Sequence, residues 1–181
     1  MYIYMNIIDA YIYTFKYLVI VITGIPIIKL NQNIYATKLS EHLEIRLIDI
    51  RITEFDKQES STIIENIITH CKKYKKIIIS TFLNNINNLY ELLQNHNILI
   101  DFVIYIDCSV KVLKNIGISK REIKYEDWQK EKQILIDFVK DYKTKIISFV
   151  NDNLSNNSYD KFWNKVMNNI QKNLDKYYYK N

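Results

Sequence analysis

The sequence predicts a single three-layer α/β domain, in which helices cover both faces of a five-stranded, mostly parallel sheet. Two observations lead to this prediction. Apolar runs rich in β-branched residues alternate along the chain with segments whose apolar residues recur at helical spacing. At 181 residues, the chain is also long enough to bury a core without disulfide bonds. The predicted strands span residues 18–23, 46–50, 77–82, 102–107 and 146–150.

Between these runs, each predicted helix carries one apolar stripe. The first two stripes comprise Tyr35, Ala36, Leu39 and Leu43, and then Ile63, Ile64, Ile67, Ile68 and Cys71. The later stripes comprise Ile86, Leu89, Tyr90 and Leu93, then Trp128, Leu135, Phe138, Val139 and Tyr142, and finally Phe162, Trp163, Val166, Met167, Ile170 and Leu174. The aromatic residues recur at helical spacing, which favours core packing over a base-stacking platform.

Polar residues predict where several of these helices begin. Thr62 and Glu65 have the spacing of a capping box, so the second helix is expected to begin at Thr62. Ser109 is expected to cap a short helix that carries Val110 and Leu113. Ser158 is the expected cap of the last helix.

The two ends of the chain fall outside the main alternation. Residues 1–16 are expected to form an N-terminal extension, residues 17–176 the α/β domain, and residues 177–181 a fraying tail. The first apolar stretch is interrupted by Asn6, Asp9 and Lys16, which argues against a membrane anchor. It also lacks the features of a signal peptide, so we expect a cytoplasmic protein.

The composition is basic and unusually poor in glycine and proline. Lysine and arginine number 25 against 20 acidic residues, giving a net charge of +5, and the chain has two glycines and one proline. Because only three basic residues are arginine, the charge is explained as well by AT-rich coding as by an anionic partner. A nucleic acid or another protein remains open as a partner.

The densest basic run is Lys72, Lys73, Lys75 and Lys76. It follows a predicted helix, so it either complements the negative end of that helix or contacts nucleic acid. Cys71 and Cys108 are expected to be buried small hydrophobes, and no Cys/His spacing indicates a metal site.

Residues 18–50, LVIVITGIPIIKLNQNIYATKLSEHLEIRLIDI, resemble the opening of the nucleoside-monophosphate kinases, the adenylate kinase-like P-loop kinases. In that family a strand enters a loop of the form G-x-P-G-x-G-K-[ST]-[ST], and a helix follows. Three later segments, KKIIIST, DFVIYIDCSVKVLKNI and KIISFVNDN, resemble the family's later strand units, so the likeness covers about residues 17 to 176. The resemblance implies a P-loop kinase-like fold and, if its site is functional, Mg-ATP as cofactor.

The loop departs from the family pattern after its first residues. Gly24, Ile25 and Pro26 match, but an ungapped alignment places Ile27 and Lys29 at the glycines, Leu30 at the lysine, and Asn31 and Gln32 at the hydroxyl positions. Those glycines let backbone N–H groups surround phosphate, the lysine neutralises it, and the hydroxyl binds magnesium. A one-residue gap would restore Lys29 to the lysine position, and Asn31 offers a weak phosphate or magnesium contact.

Other candidate residues follow from the resemblance and from strand ends. Asp49 and Asp107 end predicted strands, where each would hold magnesium through water, orient a substrate hydroxyl or cap the next turn. The stretch that corresponds to the kinase lid carries Lys120, Arg121 and Lys124, which are either phosphate ligands or a solvated charged loop.

Three functions are consistent with these residues. The first is a degenerate nucleotide or nucleoside kinase-like protein that has lost efficient phosphoryl transfer and is retained as a binding or structural component. The second is an active nucleotide kinase with an atypical phosphate loop. The third is a basic nucleic-acid-binding accessory or packaging protein of an AT-rich virus or mobile element. The replaced loop residues favour the degenerate kinase-like protein over the active kinase. The sequence barely separates the degenerate kinase-like protein from the nucleic-acid-binding protein.

Overall fold

The computed structural model describes residues 2–24, 29–50, 57–107, 109, 125–142, 144–150 and 157–178. Five strands are present in these ranges: β1 Leu18–Gly24, β2 Leu47–Ile50, β3 Lys76–Thr81, β4 Phe102–Asp107 and β5 Lys145–Val150. The helices are α1 Tyr2–Phe15, α2 Lys29–Leu43, α3 Lys57–Tyr74, α4 Ile86–Gln94, α5 Tyr125–Tyr142 and α6 Asn157–Tyr178, with a 3₁₀ turn at Leu83–Asn85. Each predicted strand is confirmed to within one residue at either end.

The five strands form one sheet in the order β2-β3-β1-β4-β5, and every pairing is parallel. Leu18 is opposite Lys76 on β3, and Ile20 is opposite Phe102 on β4. All seven residues of β1 are buried, as expected for a central strand covered on both faces. The predicted fold class, a helix-covered and mostly parallel five-stranded sheet, is therefore confirmed.

Two apolar cores lie on opposite faces of this sheet. One face packs against α3, α4 and α5, and its core includes Val19, Val21, Ile77, Ile79, Val103, Ile67, Leu89 and Phe138. The other packs against α1, α2 and α6, and its core includes Ile20, Ile22, Ile78, Phe102, Ile104, Tyr11, Leu39 and Phe162. Each large side chain removed from water contributes about 1.5–3 kcal/mol, so these two cores dominate the stability of the fold.

The predicted stripes on α2 and α4 are fully buried, and so is Cys71. Two details of the helix predictions were wrong. The helix α3 begins at Lys57, before Thr62, so the capping-box pattern does not mark its start. Val139 is 37% exposed, whereas Leu135 and Phe138 on the same helix are buried.

The helix starts predicted at Ser158 and Ser109 differ in whether the structure describes them. The helix α6 begins at Asn157, so Ser158 lies in its first turn, and its hydroxyl is 2.7 Å from the Tyr35 hydroxyl. The predicted short helix after Ser109, with Val110 and Leu113, and the side chains of Cys108 and Trp128, lie outside the described residues.

The segment expected to be an N-terminal extension contains α1, which packs on the second core through Ile8 and Tyr11. The Tyr11 hydroxyl donates to Asp101 Oδ1 (3.0 Å) and accepts from Asn173 Nδ2 (2.9 Å). Asp101 Oδ2 also accepts from the Val19 amide (2.8 Å), so one carboxylate joins α1 to the start of the sheet. None of the described helices is both long enough and apolar enough to span a bilayer.

Candidate functional site

The candidate site lies at the carboxyl edge of the sheet, which we define as the edge where the strands end. From β1 the chain continues to α2 on one face, whereas the helices that follow β3 and β4 pack on the other face. Because β1 lies between β3 and β4, its end is a point where successive connections diverge. Ligands of open α/β sheets bind in such crevices.

Gly24, the first loop residue that matches the kinase pattern, is the last residue of β1. A Cβ atom placed there would lie 2.8 Å from the carbonyl oxygen of Ile106 on β4. That distance is shorter than a carbon–oxygen van der Waals contact, so only glycine fits without moving the strands. The close approach of β1 to β4 is thus a sufficient packing reason for this glycine.

Lys29 begins α2, and residues 25–28 between β1 and this helix lie outside the described residues. The backbone therefore places Lys29 and Asn31 in the first turn of α2, at the end where the helix dipole is positive. The side chains of both residues lie outside the described part of the chain. The prediction that Lys29 or Asn31 contacts phosphate stays a prediction.

Gln32, in the same turn, is completely buried. Its Nε2 donates to the carbonyl oxygens of Ile22 and Thr81, both at 2.9 Å, and lies 3.1 Å from Ser80 Oγ. The two carbonyl acceptors fix which end of the amide carries nitrogen. The side chain at a hydroxyl position of the kinase loop is thus directed into the sheet, where it joins α2 to the ends of β1 and β3.

Two buried oxygens, one at the end of β1 and one at the start of α2, have no hydrogen-bond partner among the described residues. They are Thr23 Oγ1 and Gln32 Oε1. A buried polar atom without a partner costs roughly 1–3 kcal/mol. The two residues flank segment 25–28, which lies outside the described part of the chain.

Asp107 ends β4 and is 6% exposed. Its Oδ2 lies 2.8 Å from Nζ of Lys132 on α5, whose side chain is 37% exposed. The predicted roles of Asp107, which were holding magnesium through water, orienting a substrate hydroxyl and capping the next turn, did not include this ion pair. The sequence did not identify Lys132 as the partner of Asp107, because nothing distinguishes it from the other lysines of α5. The only signal is that it precedes buried Leu135 by three residues, which places both residues on the same side of the helix.

Asp49 lies on β2 with its side chain exposed. Three strand spacings separate β2 from β4, which amounts to about 14 Å. Asp49 and Asp107 therefore cannot both bind one magnesium ion directly. Among the described residues, no group of three or more His, Cys, Asp and Glu side chains is placed to hold a metal.

The remaining predicted site residues are the lid residues and the basic run. Lys120, Arg121 and Lys124 of the predicted lid lie outside the described residues. The basic run at 72–76 lies where α3 ends and β3 begins, which is the opposite, amino edge of the sheet. The structure thus groups Gly24, Gln32 and Asp107 at one edge and separates the basic run from them.

Comparisons with known proteins support the fold. No protein-family model and no curated protein sequence matches the chain. Among solved structures, a gluconokinase from Sinorhizobium meliloti matches with a TM-score of 0.52 at 10% identity, over 91% of this chain and 97% of that one. A shikimate kinase from Bacteroides thetaiotaomicron matches with a TM-score of 0.49 at 13% identity, over 87% and 98% of the two chains. At such identities the likeness concerns the fold alone, and the fold of this chain is the P-loop kinase-like α/β fold.

Proposed function

We propose that this chain is a nucleotide or nucleoside kinase-like protein that does not transfer phosphoryl groups efficiently and serves as a binding or structural component. Phosphoryl transfer depends almost wholly on positioning and on electrostatic stabilisation of the transferring group. The loop residues that supply both effects in the kinases are replaced at several positions at once. A single replacement would slow the reaction, whereas their combined loss removes most of the rate.

The observation that carries this proposal is the position of the Gln32 side chain. In the kinase loop the hydroxyl that binds magnesium directly follows the lysine; the ungapped alignment places Asn31 there and Gln32 at the second hydroxyl position. The Gln32 amide is completely buried and donates to two strand carbonyls. Its Nε2 is a donor and cannot bind a cation, and its two bonds hold the buried side chain, Oε1 included, against the sheet.

The ion pair at the end of β4 points to the same conclusion. Lys132 Nζ contacts Asp107 Oδ2 at 2.8 Å. A carboxylate that is close to an ammonium group has less negative potential to offer a divalent cation, because the lysine already supplies part of the compensating charge. The acidic group at this edge is therefore engaged within the protein.

The test combines ligand-dependent thermal unfolding with an assay of ATP turnover. A ligand at about 100 times its Kd stabilises a fold by about 2.7 kcal/mol, which for a chain of this size raises Tm by roughly 5–10 °C. We expect no such shift with millimolar Mg-ATP. We also expect no ATP consumption above background with gluconate, shikimate or nucleoside monophosphates as acceptors.

The matched variants are Lys29→Ala in the first turn of α2 and Lys165→Ala on the exposed face of α6. Both remove one lysine, but only the first lies at the candidate site. A clear rise in Tm with Mg-ATP that Lys29→Ala abolishes and Lys165→Ala preserves, together with measurable turnover, would overturn the proposal. In that case the chain would be an active kinase with an atypical loop.

A further inference from the structure

The amino edge of the sheet, where the strands begin, collects basic residues from separate parts of the chain. The helix α3 ends at Tyr74, one residue before β3, and α1 ends at Phe15, shortly before β1. The Leu18 amide donates to the Lys75 carbonyl (2.8 Å), and Leu18 is opposite Lys76. Lys16 and Tyr17 therefore lie beside the basic run at 72–76, although about 60 residues separate them in sequence.

Arg46 extends this basic surface toward β2. Its carbonyl accepts a hydrogen bond from the Ile78 amide (3.0 Å), so the residue lies beside the start of β3, and its side chain is exposed. Burial lowers the pKa of His70, and the positive charges of Arg46 and Lys73 lower it further. Arg46, which directly precedes β2, and Lys73 on α3 therefore both act on the imidazole of His70.

The surface continues on the other side toward β5. Lys145 begins β5, and burial and the charge of Lys176 on α6 both lower its pKa. The ring of Tyr177 on α6 meets that of Phe15 on α1 at 5.3 Å, so the ends of these helices lie together. We name the basic residues of this edge the amino-edge band: Lys16, Arg46, Lys72, Lys73, Lys75, Lys76, Lys145 and Lys176.

Exposed tyrosines accompany these cations. Tyr13 is 91% exposed, Tyr74 49% and Tyr178 58%. The Lys73 ammonium lies 4.9 Å from the centroid of the Tyr74 ring and the His70 ring lies 4.5 Å from it, so this half-exposed tyrosine is already grouped with a cation and a second ring. Aromatic rings of this size are normally buried for the apolar area they offer, and several on one edge mark a contact surface.

Acidic residues offset part of the band. Asp101 accepts from the Tyr11 hydroxyl and the Val19 amide, and whereas burial and Lys176 lower the pKa of Lys145, the charge of Asp101 raises it. The exposed Glu44 and Asp141 lie within four residues of Arg46 and Lys145, and Asp175, which accepts from Gln171, is next to Lys176. These four acidic residues stand against eight cations. Since AT-rich coding raises the number of lysines everywhere, the argument rests on where they converge and on the tyrosines among them, not on their number.

We propose that the amino edge binds single-stranded nucleic acid. The cations of the amino-edge band would contact the phosphates, and the exposed tyrosines would stack on unpaired bases, the combination by which proteins bind single strands without reading sequence. A duplex offers its phosphates but buries its base faces, so the tyrosines favour the single strand. This surface is at the opposite end of the strands from the candidate nucleotide site and does not depend on the proposed loss of phosphoryl transfer.

The test measures fluorescence anisotropy of a labelled, mixed-sequence DNA oligonucleotide of about 16 nucleotides against the full chain. For single strands log Kobs falls with log salt with a slope of about −0.7 for each phosphate contact. Five contacts predict a slope of about −3.5, so affinity should fall about 100-fold between about 50 and about 200 mM salt. The same strand annealed to its complement should bind more weakly.

Two double variants remove the same charge from different ends of the molecule. Lys72→Gln with Lys73→Gln alters the amino-edge band, and Lys161→Gln with Lys165→Gln alters the exposed face of α6 near its start. The Lys72/Lys73 double variant should reduce the magnitude of the salt slope by about 1.4 and weaken binding on the order of tenfold. The Lys161/Lys165 double variant should leave both the slope and the affinity nearly unchanged. All four side chains are exposed, so both variants should fold, which circular dichroism checks.

Tyr74→Ala separates stacking from charge. It should weaken binding of the single strand at least about fivefold and leave the salt slope unchanged, because it removes a ring and no charge. The proposal is overturned if the unaltered chain does not bind the oligonucleotide at low salt, or if both double variants lose affinity equally. It is also overturned if the duplex binds as tightly as the single strand and Tyr74→Ala does not change the affinity for either. A protein that binds vesicles containing phosphatidylserine but no oligonucleotide would overturn it as well.

Discussion

Replacement of Gln32 by leucine tests the internal role of this side chain. Leucine has nearly the same volume and a good helix propensity, but it leaves the carbonyl oxygens of Ile22 and Thr81 without the amide donor they now have at 2.9 Å. Each buried carbonyl that loses its partner costs roughly 1–3 kcal/mol. Oε1 has no partner among the described residues, so its removal returns a similar amount once, and a net loss of about 2 kcal/mol is expected.

The assay is equilibrium unfolding in urea, in which a loss of about 2 kcal/mol lowers the midpoint without changing the slope. By thermal unfolding the same loss lowers Tm by roughly 4–8 °C. The control is Gln133→Leu on α5, where an exposed glutamine bonds only an exposed Asp137 among the described contacts. Such a surface change should stay within about 0.5 kcal/mol. If Gln32→Leu is as stable as this control, the amide does not hold α2 to the strands as we infer.

Two further predictions concern the buried carboxylates. Burial raises the pKa of Asp101 from 3.8 to about 6, and the hydrogen bonds from Val19 and Tyr11 oppose the rise. The folded state therefore binds the proton more tightly than the unfolded state does. The stability that this carboxyl group contributes is full below pH 3.8 and is lost as the pH passes about 6. The free energy of unfolding, measured in urea at several pH values, should rise in Asp101→Asn relative to the unaltered chain by up to about 3 kcal/mol from acid to neutral pH. If the two proteins show the same pH dependence of the free energy of unfolding, this prediction is wrong. Lys132→Met removes the ammonium partner of Asp107. Because solvent screens the partly exposed lysine, the loss should be only about 1 kcal/mol, which urea unfolding measures. An unchanged midpoint would show that the pair contributes no net stability.

The sheet could be predicted from sequence because its strands are encoded locally. The central strands carry β-branched runs that are apolar on both faces, and this pattern is distinctive of buried parallel strands. Helix stripes were equally clear where one face is buried, as with Leu89 and Leu93 on α4. The start of α3 was missed because Thr62 and Glu65 satisfy a local capping rule, while the helix continues back to Lys57.

The contacts of the candidate site could not be predicted because they join residues that are distant in sequence. Gln32 meets Thr81 only after β3 has been placed beside β1, and no local pattern specifies that an amide rather than a hydroxyl will enter the sheet there. The ion pair of Asp107 with Lys132 spans a connection with no distinctive spacing. The Tyr11–Asp101–Asn173 network joins three elements whose proximity depends on the finished fold.

The two apolar cores stabilise this kinase-like fold independently of the loop that follows β1. The stability of the sheet comes from two apolar cores that enclose β1 on both faces, and neither core requires the loop glycines, the lysine or the hydroxyl. At the carboxyl edge, Gln32 and Lys132 instead satisfy groups of the protein itself. The basic surface for which we propose nucleic-acid binding lies at the amino edge, one strand length away, roughly 20 Å. Because the two edges share no contacts described above, neutralising Lys72 and Lys73 should leave the unfolding midpoint set by Gln32 unchanged. A coupled loss of stability and nucleic-acid affinity in either variant would show that the edges are not independent.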